Sequence, residues 1–481
     1  MTRSAIAVVL ALSACAERAV GPVVVPGASR APAAAPATPV SPSRASVAEK
    51  PQAAADGAVA EALELVARVR QLPAKAQVPG VRMERTELYA EMQRLLVEET
   101  PREALAGNAE LLFALDTVPE SFELERTIAA LYASELAGFY DPKARQMVLA
   151  TDLGRDAEAV TLYHELVHAL QDQHFDLGRS LTFRPEESDT QAALHSLAEG
   201  DATSAMVDIF AAARGVATID IPSSALRLQS VVLQATPGSI QVPGIIARSI
   251  LAPYADGLDF VRYLREHRGG FPGVNQAFEK PPLSTEQILH PEKYLAQEPI
   301  VQLPAPAAPP GFSEGVFRDV VGEQALRLLF EEWAPASDAA SAASDWGGDR
   351  VAVFSQGQSR VVRWHLVFDT DAAARRAMTL FGRGALRQEL PAGSGAGVPD
   401  AVAEGAGFGL RPFTRRAEAE AAVRAGRLCR PRAVRGAFAI ARRGRHLGVT
   451  LGPYVRGPAR VAPGDLCPQA LAWAEAVASE R

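Results

Sequence analysis

A chain of 481 residues that is 48% hydrophobic, 22% charged and 6% aromatic has a globular composition, with room for two or three domains. That excludes a wholly disordered chain. The net charge of −7 is unevenly spread: residues 401–481 hold 14 Arg, no Lys and 6 Asp and Glu, about +8, which leaves about −15 on the remainder. A basic C-terminal part of this kind docks on the acidic part, faces solvent, or faces an anionic surface such as lipid head groups or cell-wall polymer.

In chain order, the first feature is an export signal. Residues 1–3 are a short basic start, and residues 4–12 are an apolar run too short to span a bilayer. The run ends in Leu12, Ser13, Ala14 and Cys15, which together resemble the lipobox of bacterial lipoproteins. The resemblance implies that residues 1–14 are removed and that Cys15 is lipidated; ordinary secretory cleavage nearby is the alternative. Acyl chains on Cys15 would anchor the protein, since each buried CH₂ contributes about 0.8 kcal/mol. No other segment reads as transmembrane. Residues 15–57 form a tether, because the stretch from Ala19 to Gly57 is rich in Ala, Pro, Val and Ser and has no aromatic residue to bury.

Residues 58–300 read as the first folded unit. Apolar residues at three- and four-residue spacing predict helices over 58–72, 83–99 and 121–136. Residues 138–140 and 146–150 flank the turn-like sequence DPKAR and predict a hairpin. Asp156 is a plausible N-cap for a helix through 161–173, and further helices are expected over 190–214 and on to about 296. The Pro-rich stretch 301–312 reads as an interdomain linker. Residues 313–481 read as a smaller α+β unit, with helices at 322–333, 371–388 and 468–480 and strands at 350–354, 361–368, 434–441 and 446–451. Within it, Cys429 and Cys467 pair if the chain is exported, or stay as two buried thiols. No Gly-rich phosphate loop and no nucleic-acid module is recognisable, so no nucleic-acid partner is expected.

The chemistry concentrates in TLYHELVHALQDQHFDL, residues 161–177. On an α-helix, residues four apart share a face, so His164 and His168 can point one ring nitrogen each at the same ion. Glu165 lies about 100° round from His164, placed to take a proton from water rather than to ligate. A zinc site needs a third protein ligand. His174 is one candidate, but if the helix continues it lies about 240° round from His168 and points away. Glu199, in LHSLAEGDATSAM on a second helix, is the favoured alternative. Gly200 costs about 1 kcal/mol relative to Ala in a helix, which suggests close approach to the active-site helix. His195 and Asp201 are candidates to support the ligands from behind.

HELVHALQDQHFDL, SLAEGDA and PPLSTEQILHPEKY together resemble a family of bacterial and archaeal gluzincin-like zinc metallopeptidases, many of them secreted or lipid-anchored. The resemblance covers roughly residues 125–300 and extends to DWGGDR at 345–350. It implies a mostly helical zincin-like domain with a small sheet, Zn²⁺ on His164, His168 and Glu199, and an edge strand, 138–140 or 146–150, that aligns extended peptide. One departure is Thr203, four residues after Glu199, where thermolysin-like relatives carry an Asp that orients a histidine. His290, Tyr294 and Tyr254 are candidate donors to the oxygen that becomes negative during hydrolysis. DWGGDR reads as a tight turn around a packed Trp346.

The function expected is therefore that of a zinc metallopeptidase tethered by its N-terminal lipid in the bacterial cell envelope, acting on protein or peptide with Glu165 as general base. Ala16, following Cys15, favours the outer membrane or cell surface. The alternative is an envelope binding lipoprotein with a structural or vestigial zinc site.

Overall fold

The computed structural model describes residues 50–135, 137–213, 222–225, 227, 242–386, 416–457 and 466–480. Cys15, the signal segment and the tether as far as residue 49 lie outside the described residues. The fold is α+β, with a three-stranded and a six-stranded sheet.

Most of the predicted helices form, with shifted ends. In chain order the first unit comprises α1 (Lys50–Arg70), β1 (Gly80–Met83), α2 (Arg85–Glu99), α3 (Arg102–Ala114), α4 (Leu124–Glu135), β2 (Gly138–Asp141), β3 (Gln146–Ala150), α5 (Arg155–Phe175), α6 (Leu177–Ser180), α7 (Ser188–Ala213), α8 (Gly244–His267), α9 (Phe271–Glu279), α10 (Thr285–Leu289) and α11 (Pro291–Ala296). Helix α1 starts at Lys50, inside the stretch read as tether. Strand β1 and helix α3 were not foreseen. β1 pairs in parallel with β3, a long-range contact that leaves no local hairpin signal. The predicted hairpin is present as the antiparallel pair β2–β3. The N-cap of α5 is Gly154, not Asp156, which sits in the first turn, where a carboxylate favours the positive helix end.

The second unit contains β4 (Ser313–Asp319), α12 (Gly322–Glu331), α13 (Ala336–Ala343), β5 (Trp346–Gln356), β6 (Ser359–Phe368), α14 (Asp371–Leu386), α15 (Arg416–Ala425), β7 (Arg427–Arg432), β8 (Gly436–Arg443), β9 (His446–Val455) and α16 (Cys467–Val477). Its six strands run in the order β4-β5-β6-β9-β8-β7, all antiparallel. Cys429 on β7 is disulfide-bonded to Cys467 at the start of α16, with Cα atoms 5.6 Å apart. DWGGDR is not a tight turn: Trp346 opens strand β5, with a bulge between Trp346 and Gly348. Among the described residues no helix is long and apolar enough to cross a membrane.

The two units share one core. A single buried cluster joins Phe113 of α3, Ile245 and Ile250 of α8, Phe330 of α12, Trp364 of β6 and Phe438 of β8. The Pro-rich stretch between them is packed rather than free: Val301 N–H bonds Gly347 O at 2.8 Å, and Leu303 is buried. Part of the C-terminal basic charge is spent on docking. Arg432 donates to Ala114 O, Arg435 to Phe113 O and Val118 O, and Arg456 pairs with Glu110 at 3.0 Å.

The start of α7 is seated in this junction by Thr285 of PPLSTEQILHPEKY, with Asp349 of DWGGDR close by. Asp189, in the first turn of α7, accepts from the Thr285 N–H and hydroxyl at 3.1 and 2.5 Å. Asp349 accepts from the Val321 and Gly322 N–H groups and from the indoles of Trp346 and Trp364. Burial, with Asp349 and Glu323 nearby, pushes the Asp189 carboxyl up to about 7 against the bonds from Thr285. A carboxyl raised in the folded state stabilises while protonated; that contribution is complete below about pH 4 and is lost as pH rises through about 7. The thermal midpoint of the wild type should therefore fall between about pH 5 and pH 8. Asp189→Asn keeps the oxygen that accepts from Thr285 and should flatten that fall; an unchanged pH profile would contradict the assignment.

Candidate metal centre

Helix α5 crosses the interior. All residues from Thr161 to Gln171 except Tyr163 are buried. It lies against α7, and the two bring three donors together. His164 Nε2 is 3.0 Å from Glu199 Oε2 and 3.1 Å from His168 Nε2, and His168 Nε2 is 3.5 Å from the same carboxylate oxygen. Two ligands of tetrahedral zinc, each about 2.05 Å from the ion, stand about 3.3 Å apart. The three separations straddle that value, so two imidazoles and one carboxylate form one face of a tetrahedron of zinc-like size.

The electrostatics suit a dication. Burial works against ionised Glu199, yet the His168 charge and the bonds from His164, His168 and His195 hold it well below the usual carboxylate range. Burial also works against charge on His168, but Glu199 beside it lifts the imidazole to about 9. Burial dominates at His164 and pushes it down. The centre thus holds an anion and an imidazolium, and any metal ion that binds there must displace a proton. His195 bonds the other carboxylate oxygen of Glu199 at 3.1 Å, which leaves Oε2 for the histidine pair.

His174 is excluded from this group. Helix α5 runs on to Phe175, and the His174 ring turns to Pro73 O at 2.7 Å. It lines a cavity of about 820 Å³ at the C-terminal end of α5, with Lys75, Arg145, Asp172 and Phe278. His290 also lies elsewhere: its Nε2 bonds Glu323 at 2.9 Å in the junction at the start of α7. Its assignment as a catalytic donor is corrected, because its ring is engaged by a neighbour from the second unit. Tyr294 spends its hydroxyl on Lys280 O at 3.0 Å. Tyr254 of α8 does reach the centre, its ring stacked on His164 with centroids 5.8 Å apart.

Glu165 is fully buried and stands outside the donor triad, and its Oε2 accepts from the Tyr140 N–H at 3.1 Å. The bond follows from the register of the hairpin. Ala150 N–H bonds Ala137 O, so the pair Tyr140↔Met147 is a non-bonded one and the Tyr140 amide points out of the sheet. The sheet order β1-β3-β2 makes β2 the edge beside Glu165; residues 146–150, offered as an alternative edge, form the central strand.

Gly200 does make a close approach, but to α8 and not to α5. A Cβ on Gly200 would lie 2.1 Å from the Gly257 carbonyl carbon, and one on Gly257 would lie 1.8 Å from Ser196 O. The backbones of α7 and α8 touch, and this contact sets the position of Glu199. Gly257→Ala should destabilise by about 1–3 kcal/mol in chemical denaturation and lower the bound zinc; wild-type stability would contradict the contact.

A second acidic group, Glu286, Glu298 and Asp369, already holds a cation of the chain: Lys293 Nζ lies 2.6, 3.0 and 2.7 Å from them. Among the described residues His164, His168 and Glu199 are thus the three-donor group with room for an ion.

One family model matches residues 312–396, and its description is "Domain of unknown function (DUF8575)". The match begins where the Pro-rich stretch ends and takes in β4 to α14. No curated protein matches, and no solved structure matches.

Proposed function

We propose that the protein is a zinc metallopeptidase of the cell envelope, anchored through a lipid on Cys15 and cleaving protein or peptide outside the cytoplasm. The reading is carried by one observation: Glu165 is buried beside the triad of His164, His168 and Glu199 without belonging to it. A structural zinc site has no use for such a carboxylate, and burying one without a task is costly. Zinc held by His164, His168 and Glu199 supplies the acidification of water and the polarisation of the scissile carbonyl. Glu165 takes the proton from the water and passes it to the leaving amine. The Tyr140 N–H fixes the Glu165 carboxylate while it does so. Tyr254, stacked on His164, is the candidate donor to the oxygen that becomes negative. An extended peptide would align along the edge of β2, which runs beside the base.

The second reading, a binding lipoprotein with a structural zinc, is favoured by burial: His164 is 5% exposed, and Glu165, His168 and Glu199 are 0% exposed. Both readings require the metal, and elemental analysis of purified protein tests that requirement. One zinc per chain, removed by a chelator and restored on addition, is expected; a metal-free protein that takes up none would refute both. The anchor is tested by the mass of the mature N-terminus, expected to begin at a lipidated Cys15. An unmodified terminus elsewhere would remove the membrane from the account.

A further inference from the structure

Behind His168 a chain of three buried side chains runs to the far end of α1. His168 Nδ1 is 2.8 Å from Gln171 Oε1. The Gln171 amide nitrogen donates to Ala198 O at 3.1 Å and to Asp201 Oδ2 at 2.8 Å. Asp201 Oδ1 is 2.6 Å from Arg70 Nε. Arg70 donates to Asn275 Oδ1 at 2.8 Å, and its Cζ lies over the Phe271 ring, 4.4 Å from the centroid. Arg70, His168, Gln171 and Asp201 are all 0% exposed.

We infer that Arg70, Asp201 and Gln171 are positioning residues that fix the tautomer and the tilt of His168, and so preset the metal centre. The inference rests on the zinc reading. A carbonyl and a carboxylate only accept, so the partners of the Gln171 nitrogen force the NH₂ group to their side. That leaves the amide oxygen facing the imidazole, and Nδ1 must carry the hydrogen. The lone pair of neutral His168 is then confined to Nε2, the nitrogen that faces His164 and Glu199. Arg70 holds Asp201 in place through the ion pair at its Nε. Asp201 comes two residues after Glu199, about 200° round the helix. One stretch of α7 thus offers a ligand on one side and the anchor of this chain on the other. The length of Gln171 bridges from Asp201 to the ring, so the absence of Asp at position 203 leaves no gap.

A glutamate at 171 would not serve, because its carboxylate would meet Asp201 and the Ala198 carbonyl. Gln171→Met removes donor and acceptor at nearly constant length. In the full-length protein titrated with Zn²⁺ against a chromophoric chelator, Gln171→Met should bind about 10–100-fold more weakly. A purely structural role would lower the melting temperature and leave the affinity of the folded protein unchanged. A second measurement needs no variant. In ¹⁵N-histidine spectra of the zinc-loaded wild type, His168 should show a slowly exchanging proton on Nδ1. If wild type and Gln171→Met bind zinc within about twofold of each other, or if His168 carries no Nδ1 proton, the chain has no positioning role. If the wild type itself takes up no zinc, the metal reading fails and the chain fails with it.

Discussion

Glu199→Ala is expected to lose most of the bound zinc, while His174→Ala keeps it near one per chain. Glu199 is the sole anionic donor of the triad, and its Oε2 lies within 3.5 Å of both ring nitrogens. Without it the site offers two imidazoles, one of which loses the carboxylate that holds its proton. The drop in affinity should exceed the about 10–100-fold typical of removing an orienting neighbour. The His174 ring bonds Pro73 O on the outside of α5, so its removal leaves the donors as they are. Equilibrium dialysis followed by elemental analysis reads both variants. The reverse pattern would mean that α5 ends early and that the ligand comes from the same stretch of chain.

Glu165→Gln should retain zinc and fold as the wild type does, yet lose about 10²–10⁴-fold in hydrolysis, the usual effect of removing a general base. The amide oxygen of Gln can still accept from the Tyr140 N–H, as Glu165 Oε2 does. It cannot take a proton from water. Removing a buried charge also lightens the desolvation cost at the centre, so stability should not fall. Cleavage at the wild-type rate would assign the activity to another site.

The helix of the candidate metal centre was legible because its message is local. His164 and His168 sit one turn apart, and the rotation that turns His174 away follows from helix geometry alone. Glu199 was legible through its motif, and His195 because it lies one turn before Glu199. Arg70 was not, since its place behind His168 depends on α1, α7 and α9 meeting in space. Gln171 did carry a signal: three residues after His168, it shares that face of the helix. His290 misled because its motif is polar and histidine-bearing in either role, while its partner Glu323 lies in another unit. The Pro-rich stretch marked a boundary in sequence and not in packing, because Phe113, Ile245 and Phe438 fill one core across it.

The most direct test of the central claim is digestion of a broad peptide library by the purified full-length wild type, with chelator, without it, and with zinc restored. The account predicts cleavage that stops on chelation and returns with zinc. Stoichiometric zinc with no cleavage of any peptide, or cleavage indifferent to the chelator, would contradict it.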